Sequence, residues 1–321
     1  MTTLITFLTS AIRLGMVLLF GSTGETITEK SGHLNLGIPG IMCVGASTGC
    51  VAASVYYNSV GGLQGLNPIL SVLIPTVATL IGGAAMGVLY AFFTVTLRSN
   101  QNVTGLVITT MGVGISKFMI ANLEPASFAA GSRFFTASLP FADKLGWFGK
   151  LFLSYGIMIY LAIAISVVAS LVLSKTKIGL HLRAVGENPA TADAAGINVG
   201  LYRYASTAIG CGIAGLGGLT FIMDYLHGNW EYVIDSIGWL SVALVIFTVW
   251  RPSLGIACSI IFGAFYVASE YIPGLTLQIK ELFKMLPYLV TLVVLIFTSI
   301  RNKRENQPPA SLGTNYFREE R

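Results

Sequence analysis

The run Leu151-Phe-Leu-Ser-Tyr-Gly-Ile-Met-Ile-Tyr-Leu-Ala-Ile-Ala-Ile-Ser-Val-Val-Ala-Ser-Leu-Val-Leu173 carries no charged side chain. Its length suits a helix crossing the hydrocarbon core, which takes about 20 residues, whereas a barrel strand needs only about 10. Similar runs recur along the chain. The candidate spans are roughly 4–22, 36–57, 69–97, 103–121, 151–173, 203–226, 236–250, 253–271 and 285–300. Of the 321 residues, 54% are hydrophobic and 10% charged; an ordinary soluble domain has about 25% charged. Bilayer hydrocarbon offers no hydrogen-bond partners, so spanning segments must be helices or closed barrels. The sequence therefore predicts an all-α integral membrane protein of about nine transmembrane helices. The third span is long enough to tilt or break, and 236–250 with 253–271 forms either two spans or a re-entrant pair around Arg251-Pro252.

The 36 glycines fit this class, because small residues let membrane helices approach closely. Gly45–Gly49 and Gly83–Gly87 have the GxxxG spacing and are read as ordinary close packing. Cys43, Cys50, Cys211 and Cys258 lie in apolar runs, match no zinc spacing and are given no role. His33, His181 and His227 lie far apart, so no metal site is expected. Met1 to Ser10 lacks a basic n-region and reads as part of a retained first helix.

Lys and Arg concentrate on one side of this topology: Lys30, Arg98, Lys175, Lys177, Arg183, Arg203, Arg251, Arg301, Lys303, Arg304, Arg318 and Arg321. The other side holds Arg133, Lys144, Lys150, Lys280 and Lys284. The positive-inside rule then places the N-terminus outside and the C-terminus in the cytoplasm of a cell membrane. Residues 1–300 form the transmembrane domain, with an inner loop at 174–202. Residues 301–321 form a polar cytoplasmic tail, read as disordered. The outer loop 122–150 carries Phe128, Phe134, Phe135, Phe141, Trp147 and Phe148, as an interfacial segment or as a cap that receives another protein.

The inner loop contains Thr176-Lys-Ile-Gly-Leu-His-Leu-Arg-Ala-Val-Gly-Glu-Asn-Pro-Ala-Thr-Ala-Asp-Ala-Ala-Gly-Ile-Asn198. Asn188 is a good N-cap, and Pro189 suits the first helical position, which needs no amide donor. The alanines favour helix, and Gly196 sits where a left-handed C-terminal cap belongs. A two-turn helix over 188–196 is unstable alone and must pack against something, either its own protein or a partner.

This loop resembles the coupling-helix loop of ATP-binding-cassette (ABC) permeases of the branched-chain amino acid, ribose and nucleoside importer group. Gly179, Arg183, Ala184, Gly186, Asn188, Ala192, Gly196 and Ile197 carry the likeness. Gly24-Glu-Thr-Ile-Thr-Glu-Lys-Ser-Gly-His-Leu-Asn-Leu-Gly-Ile-Pro-Gly40 looks like the nucleoside-branch variant of the stretch between the group's first spans. Asn100-Gln-Asn-Val-Thr-Gly105 is similar to the start of a later helix. The resemblance implies a type II importer-like permease with separate ATPase subunits, an extracytoplasmic solute-binding lipoprotein and a second permease, a non-identical longer homologue. It also implies that Arg183, Glu187, Asn188, Pro189, Ala190, Thr191, Ala192, Asp193 and Gly196 contact the ATPase. The chain has no G-x-x-x-x-G-K-[ST] loop. It is expected to be no enzyme and to bind no cofactor, the partner ATPase using ATP and magnesium. Nucleic acid is not an expected partner.

The implied solute is a nucleoside or a related ring compound such as riboflavin, with a sugar or branched-chain amino acid as alternatives. Asn35, Gly37, Pro39, Asn100, Asn102 and Thr104 are candidates for the translocation path, or simple caps and loop residues. Asp224, His227, Glu231 and Asp235 form an outer acidic group, either a solvated loop or a docking patch for a binding protein. Arg13 lies mid-span, where a charge is costly; Glu25 or Glu29 is its expected partner. Lys117 is expected to snorkel at the outer end of its span. The absence of a mid-membrane acid–base pair in a relay pattern argues against a secondary transporter. No nucleophile–base set supports an intramembrane enzyme.

Overall fold

A computed structural model describes residues 2–138, 146–301 and 307–318. Phe141, Lys144, Lys303, Arg304 and Arg321 lie outside the described residues, and the side chains of Trp147, Phe148, Lys150 and Arg301 are not described. Among the described residues seven helices are long and apolar enough to cross a membrane, against about nine spans read from the sequence; the segments at 236–250 and 285–300 fall on helices of only 14 and 16 residues. The first four are α1 (Thr2–Glu29), α2 (Ile38–Ser59), α3 (Pro68–Ala91) and α4 (Gln101–Ala121). Three short helices follow at one end of the bundle: α5 (Pro125–Ala129), α6 (Ser132–Phe135) and α7 (Gly146–Phe152). The α8 helix (Ile157–Lys175) then leads to the opposite end, where α9 (Lys177–Glu187) and α10 (Pro189–Ala194) lie. From there α11 (Val199–Thr220) returns. The chain continues through α12 (Ile234–Phe247), α13 (Pro252–Tyr271), α14 (Leu277–Phe283) and α15 (Leu286–Arg301).

The α1 helix continues well past residue 22, where the apolar run suggests an end. Several of its polar residues are bonded in place. Thr26 and Thr28 donate to the carbonyls of Ser22 (2.7 Å) and Gly24 (3.2 Å), and Glu25 accepts from the Asn35 amide (3.1 Å). The α3 helix starts on an Asn67 cap with Pro68 in the first turn. It contains Pro75 and runs into a π-helical turn over Phe92–Thr96, so the long third segment bends and widens without breaking.

At 1.5 Å per residue the 14 residues of α12 reach about 21 Å, short of the roughly 30 Å core. The preceding stretch makes up the difference: Gly228 lies against Ala129 at the α5 end. The helix finishes at the α10 end, where Trp250 reaches Glu29, and α13 returns to place Tyr271 beside Ser10. The pair therefore runs through the bundle in both directions and is not a re-entrant hairpin. Its corner is strained: Val249 and Trp250 both sit in the left-handed region at φ +54°, which a β-branched residue rarely adopts.

The centre is α11 packed among α1, α2 and α3, with α13 beside α1. Glycines set the spacing. A Cβ on Gly45 would stand 2.5 Å from the Gly215 Cα, and one on Gly83 would stand 2.5 Å from the Cys211 carbonyl oxygen. Both GxxxG pairs are thus packing sites between α2, α3 and α11. Cys43, Cys50 and Cys211 are buried, Cys258 is partly so, and all four are free thiols.

The tail departs from the disordered reading. Residues 307–318 lie as a strap across the α10 end. Ser311 N–H donates to the Gly186 carbonyl (3.0 Å) and Gly313 N–H to the Gly32 carbonyl (3.3 Å). A polar segment that cannot build its own core is held here by hydrogen bonds to loop backbone.

Candidate functional site

The α9–α10 hairpin is built by local capping. The Thr176 hydroxyl accepts from Gly179 N–H (3.1 Å), starting α9, and Asn188 accepts from Thr191 N–H (3.0 Å), starting α10 at Pro189. The end of α10 is a Schellman motif: Gly196 at φ +81° donates to the Asp193 carbonyl, and Ile197 N–H to the Ala192 carbonyl. Asn198 caps α11 at Leu201 N–H (2.9 Å). The helix expected over 188–196 is therefore present, as six helical residues between its two caps.

Its faces differ. Ala192 is buried with Val185 and Val199, and Tyr316 of the strap packs against them. Asn188, Thr191, Ala194, Ala195 and Gly196 are exposed, with Pro189 and Ala190 half-buried. Asp193 accepts from the Tyr316 hydroxyl (2.8 Å) and lies 3.3 Å from Arg318. Arg183 and Glu187 stand apart from α10. They line a polar cavity of about 610 Å³ with Lys30, Arg251, Ser170 and Ser174. Burial pulls the Lys30 ammonium below its ordinary pKa, against the charge of Glu187.

Between α1 and α2 the chain is held almost without helix. His33 is buried, its Nδ1 2.8 Å from Thr207 Oγ1 and its Nε2 2.7 Å from Thr94 Oγ1. Burial, then the charge of Arg203, pushes its pKa down from 6.5 to about 3. Asn35 accepts from Gly37 N–H (2.9 Å) and donates to Cys211 Sγ (3.3 Å). Gln101 accepts from Leu34 N–H (2.8 Å), and Thr109 donates to the Leu36 carbonyl (2.8 Å). Non-helical backbone at this depth is tolerable because its polar groups are met.

The structure divides the path candidates. Asn35, Gly37 and Pro39 are buried inside this subunit; Asn100 and Asn102 are exposed, and Thr104 is buried. Asn100 caps α4 through Val103 N–H (3.1 Å), and Thr104 bonds back to the Asn100 carbonyl and to Ser99. Gln101, which joins the Leu34 loop to the strap at Thr314 (3.2 Å), was hidden among capping residues.

Two charge expectations are corrected. Glu25 and Glu29 lie 12 and 16 residues beyond Arg13 on the same helix, about 18 and 24 Å along its axis. Arg13 instead lies within electrostatic reach of Asp224, with no hydrogen bond between them. Asp224 cannot belong to an exposed docking patch, because it is 0% exposed with neither carboxylate oxygen hydrogen-bonded. Its helix continues as a π-helical turn over Phe221–Tyr225, which keeps the acid inside the bundle. His227 and Glu231 are exposed and Asp235 is half-buried. Lys117 is exposed with its ammonium 5.6 Å from the Tyr232 ring centre, consistent with the expected snorkelling. Phe128 and Phe135 are buried at the far end. Among the described residues no group of three or more His, Cys, Asp or Glu side chains could hold a metal ion.

A multi-pass helical bundle that presents a short capped helix at one end fits a membrane transport subunit. The chain belongs to the family described as branched-chain amino acid transport system / permease component, which matches residues 7–295. It is 32% identical over 286 residues to the nucleoside ABC transporter permease protein NupC of Lactococcus lactis subsp. cremoris, covering 87% of each chain. It is 30% identical over 292 residues to the guanosine ABC transporter permease protein NupQ of Bacillus subtilis, again 87% of each. The putative glucose ABC transporter permease protein TsgC13 of Haloferax volcanii is 30% identical over 336 aligned positions, 97% of each. Permeases of this class work with ATPase and binding-protein partners.

Proposed function

We propose that this chain forms the membrane path of an ABC importer for a nucleoside or a related ring compound, and that α10 is where the ATPase grips it. The observation that carries the coupling role is the division of α10 into a buried Ala192 face and an exposed face around Thr191, Ala194 and Ala195. Such a rod moves with its own subunit while a second protein holds its outer side. Nucleotide-driven closing and opening of that protein biases the bundle between two states. The α10 end then faces the cytoplasm, as its Lys and Arg excess supports, with the N-terminus outside. ATP and magnesium belong to the partner. The permease pairs with a non-identical longer homologue and takes its solute from an extracytoplasmic lipoprotein.

The nucleoside assignment is supported by the Gly24–Gly40 variant and the names of two relatives. A sugar is the second reading, favoured by the relative named for glucose. Replacing Asn188-Pro189 by Gly-Gly tests the coupling role. The Gly cap costs a few tenths of a kcal/mol, and freeing the backbone at position 189 adds roughly 1 kcal/mol. In vesicles containing the full transporter, uptake should fall while membrane insertion and ATP hydrolysis persist. Unchanged uptake would overturn the role of α10. Binding of radiolabelled guanosine and glucose to the cognate lipoprotein decides between the solutes.

A further inference from the structure

Between α8 and α11 runs an apolar groove of about 610 Å³, backed by Ile27 of α1. Its lining extends from Leu161 to Leu173 on α8 and from Tyr202 to Ile213 on α11. At 1.5 Å per residue these faces are about 18 and 17 Å long, close to the roughly 15 Å depth of one leaflet's hydrocarbon. Val168 and Ile209 line the groove and are exposed, so it opens on the outer surface of the chain. The few polar groups in its wall are engaged elsewhere. The Ser206 hydroxyl donates to the Arg203 carbonyl (3.1 Å), and the Tyr202 hydroxyl lies 2.9 Å from His181 Nδ1.

One end is closed. Ile178, Gly179 and Leu182 of α9 form the floor on the α10 side. A Cβ on Gly179 would stand 2.1 Å from the Val172 carbonyl oxygen, so α9 is pressed directly onto the end of α8. Lys175 and Lys177, both exposed, flank Thr176 between the lining residues Leu173 and Ile178. A neighbouring transmembrane helix crosses the whole core of roughly 30 Å, so only about half of it would be seated here before it met α9. A single acyl chain matches the depth, and an anionic headgroup matches the basic rim.

We propose that this groove seats one acyl chain of an anionic phospholipid from the leaflet on the α10 side, with its phosphate beside Lys175 and Lys177. Long basic side chains keep their stems on apolar surface while the ammonium reaches headgroup level. Because α9 runs into α10 at Asn188, a seated lipid braces the hairpin against α8 and α11 at once. The binding depends neither on the solute carried nor on an ATPase.

The test uses the full chain in phosphatidylcholine nanodiscs doped with phosphatidylglycerol that carries a photoreactive diazirine in its acyl chain. The same probe on phosphatidylcholine is the control, and adducts are mapped by mass spectrometry. Adducts should concentrate on the groove faces of α8 and α11, several-fold above the exposed apolar side of α4 at Val107 and Phe118. Unlabelled phosphatidylglycerol should compete several-fold better than phosphatidylcholine. Ala205→Trp, at an exposed position of the wall, fills the groove and should abolish the excess with the fold intact. Lys175→Glu with Lys177→Glu should remove the preference for phosphatidylglycerol and leave labelling by the control probe in place. Groove labelling no denser than that of α4 overturns the proposal, as do equal competition by the two lipids and adducts unchanged in both variants. Loss of the groove adducts when a second permease is assembled would identify a protein occupant and overturn it too.

Discussion

The indole N–H of Trp250 donates to the carboxylate of Glu29, joining the strained corner between α12 and α13 to the last residue of α1. Both groups are buried. Replacing Trp250 by Phe keeps an aromatic ring and removes the donor, leaving a buried carboxylate without this partner. The expected cost is about 1–3 kcal/mol, read as a lower unfolding midpoint in detergent. Adding Glu29→Met should recover part of the loss, because the stranded acceptor is gone. A midpoint unaffected by Trp250→Phe would show that the pair does not hold the corner.

His33 should stay neutral wherever the protein is folded near neutral pH. Its pKa is lowered to about 3 in the folded chain, against the ordinary value of 6.5. The unfolded chain therefore takes up a proton first as pH falls. The His33 contribution to stability is complete above about pH 6.5 and is lost progressively between there and pH 3. Isotope-labelled histidine spectra should show one ring that does not titrate from pH 8 to 5. In His33→Gln the matching part of the acid destabilisation should vanish.

Much of the loop between α8 and α11 was legible because its signals are local. Asn188, Pro189 and Gly196 act on backbone groups within a few residues, so their spacing fixes α10 without knowledge of anything distant. The partners of Glu29 and His33 were not legible, since Trp250 and Thr207 lie far along the chain and carry no local mark. The strap was misread for a related reason. Its polar composition says that it cannot fold alone, but not that Gly186 and Gly32 offer it carbonyl oxygens. Asp224 looked exposed because an apolar run gives way to polar residues just after it, and a π-helical turn carries the bundle past that point.

Arg13 and Asp224 should behave as one unit. Arg13→Met removes a cation within electrostatic reach of the buried Asp224 carboxylate and should lower the unfolding midpoint, by a cost of about 1 kcal/mol. Asp224→Asn in the same chain should restore most of it, because no buried charge remains. Additive losses in the double variant would refute the pairing. Asp224→Asn alone should leave the affinity for a binding protein unchanged, in keeping with its burial.

Gly112 is a second sensitive point. A Cβ there would stand 2.4 Å from the Gly40 carbonyl oxygen, so α2 and α4 meet backbone to backbone. Gly112→Val must push the two helices apart, with an expected cost of about 1–3 kcal/mol. Uptake should fall with the midpoint, whereas Gly114→Ala, facing open space, should leave both alone.

These bare contacts also limit how the subunit can move. Where Gly40 meets Thr109 and Gly45 meets Gly215, no flexible side chain stands between the helices to act as a bearing. Sliding one past the other would force main-chain atoms to climb over each other. The inner helices that meet this way are geared to travel together, and a transport cycle of the kind proposed would tilt them as one body against their neighbours.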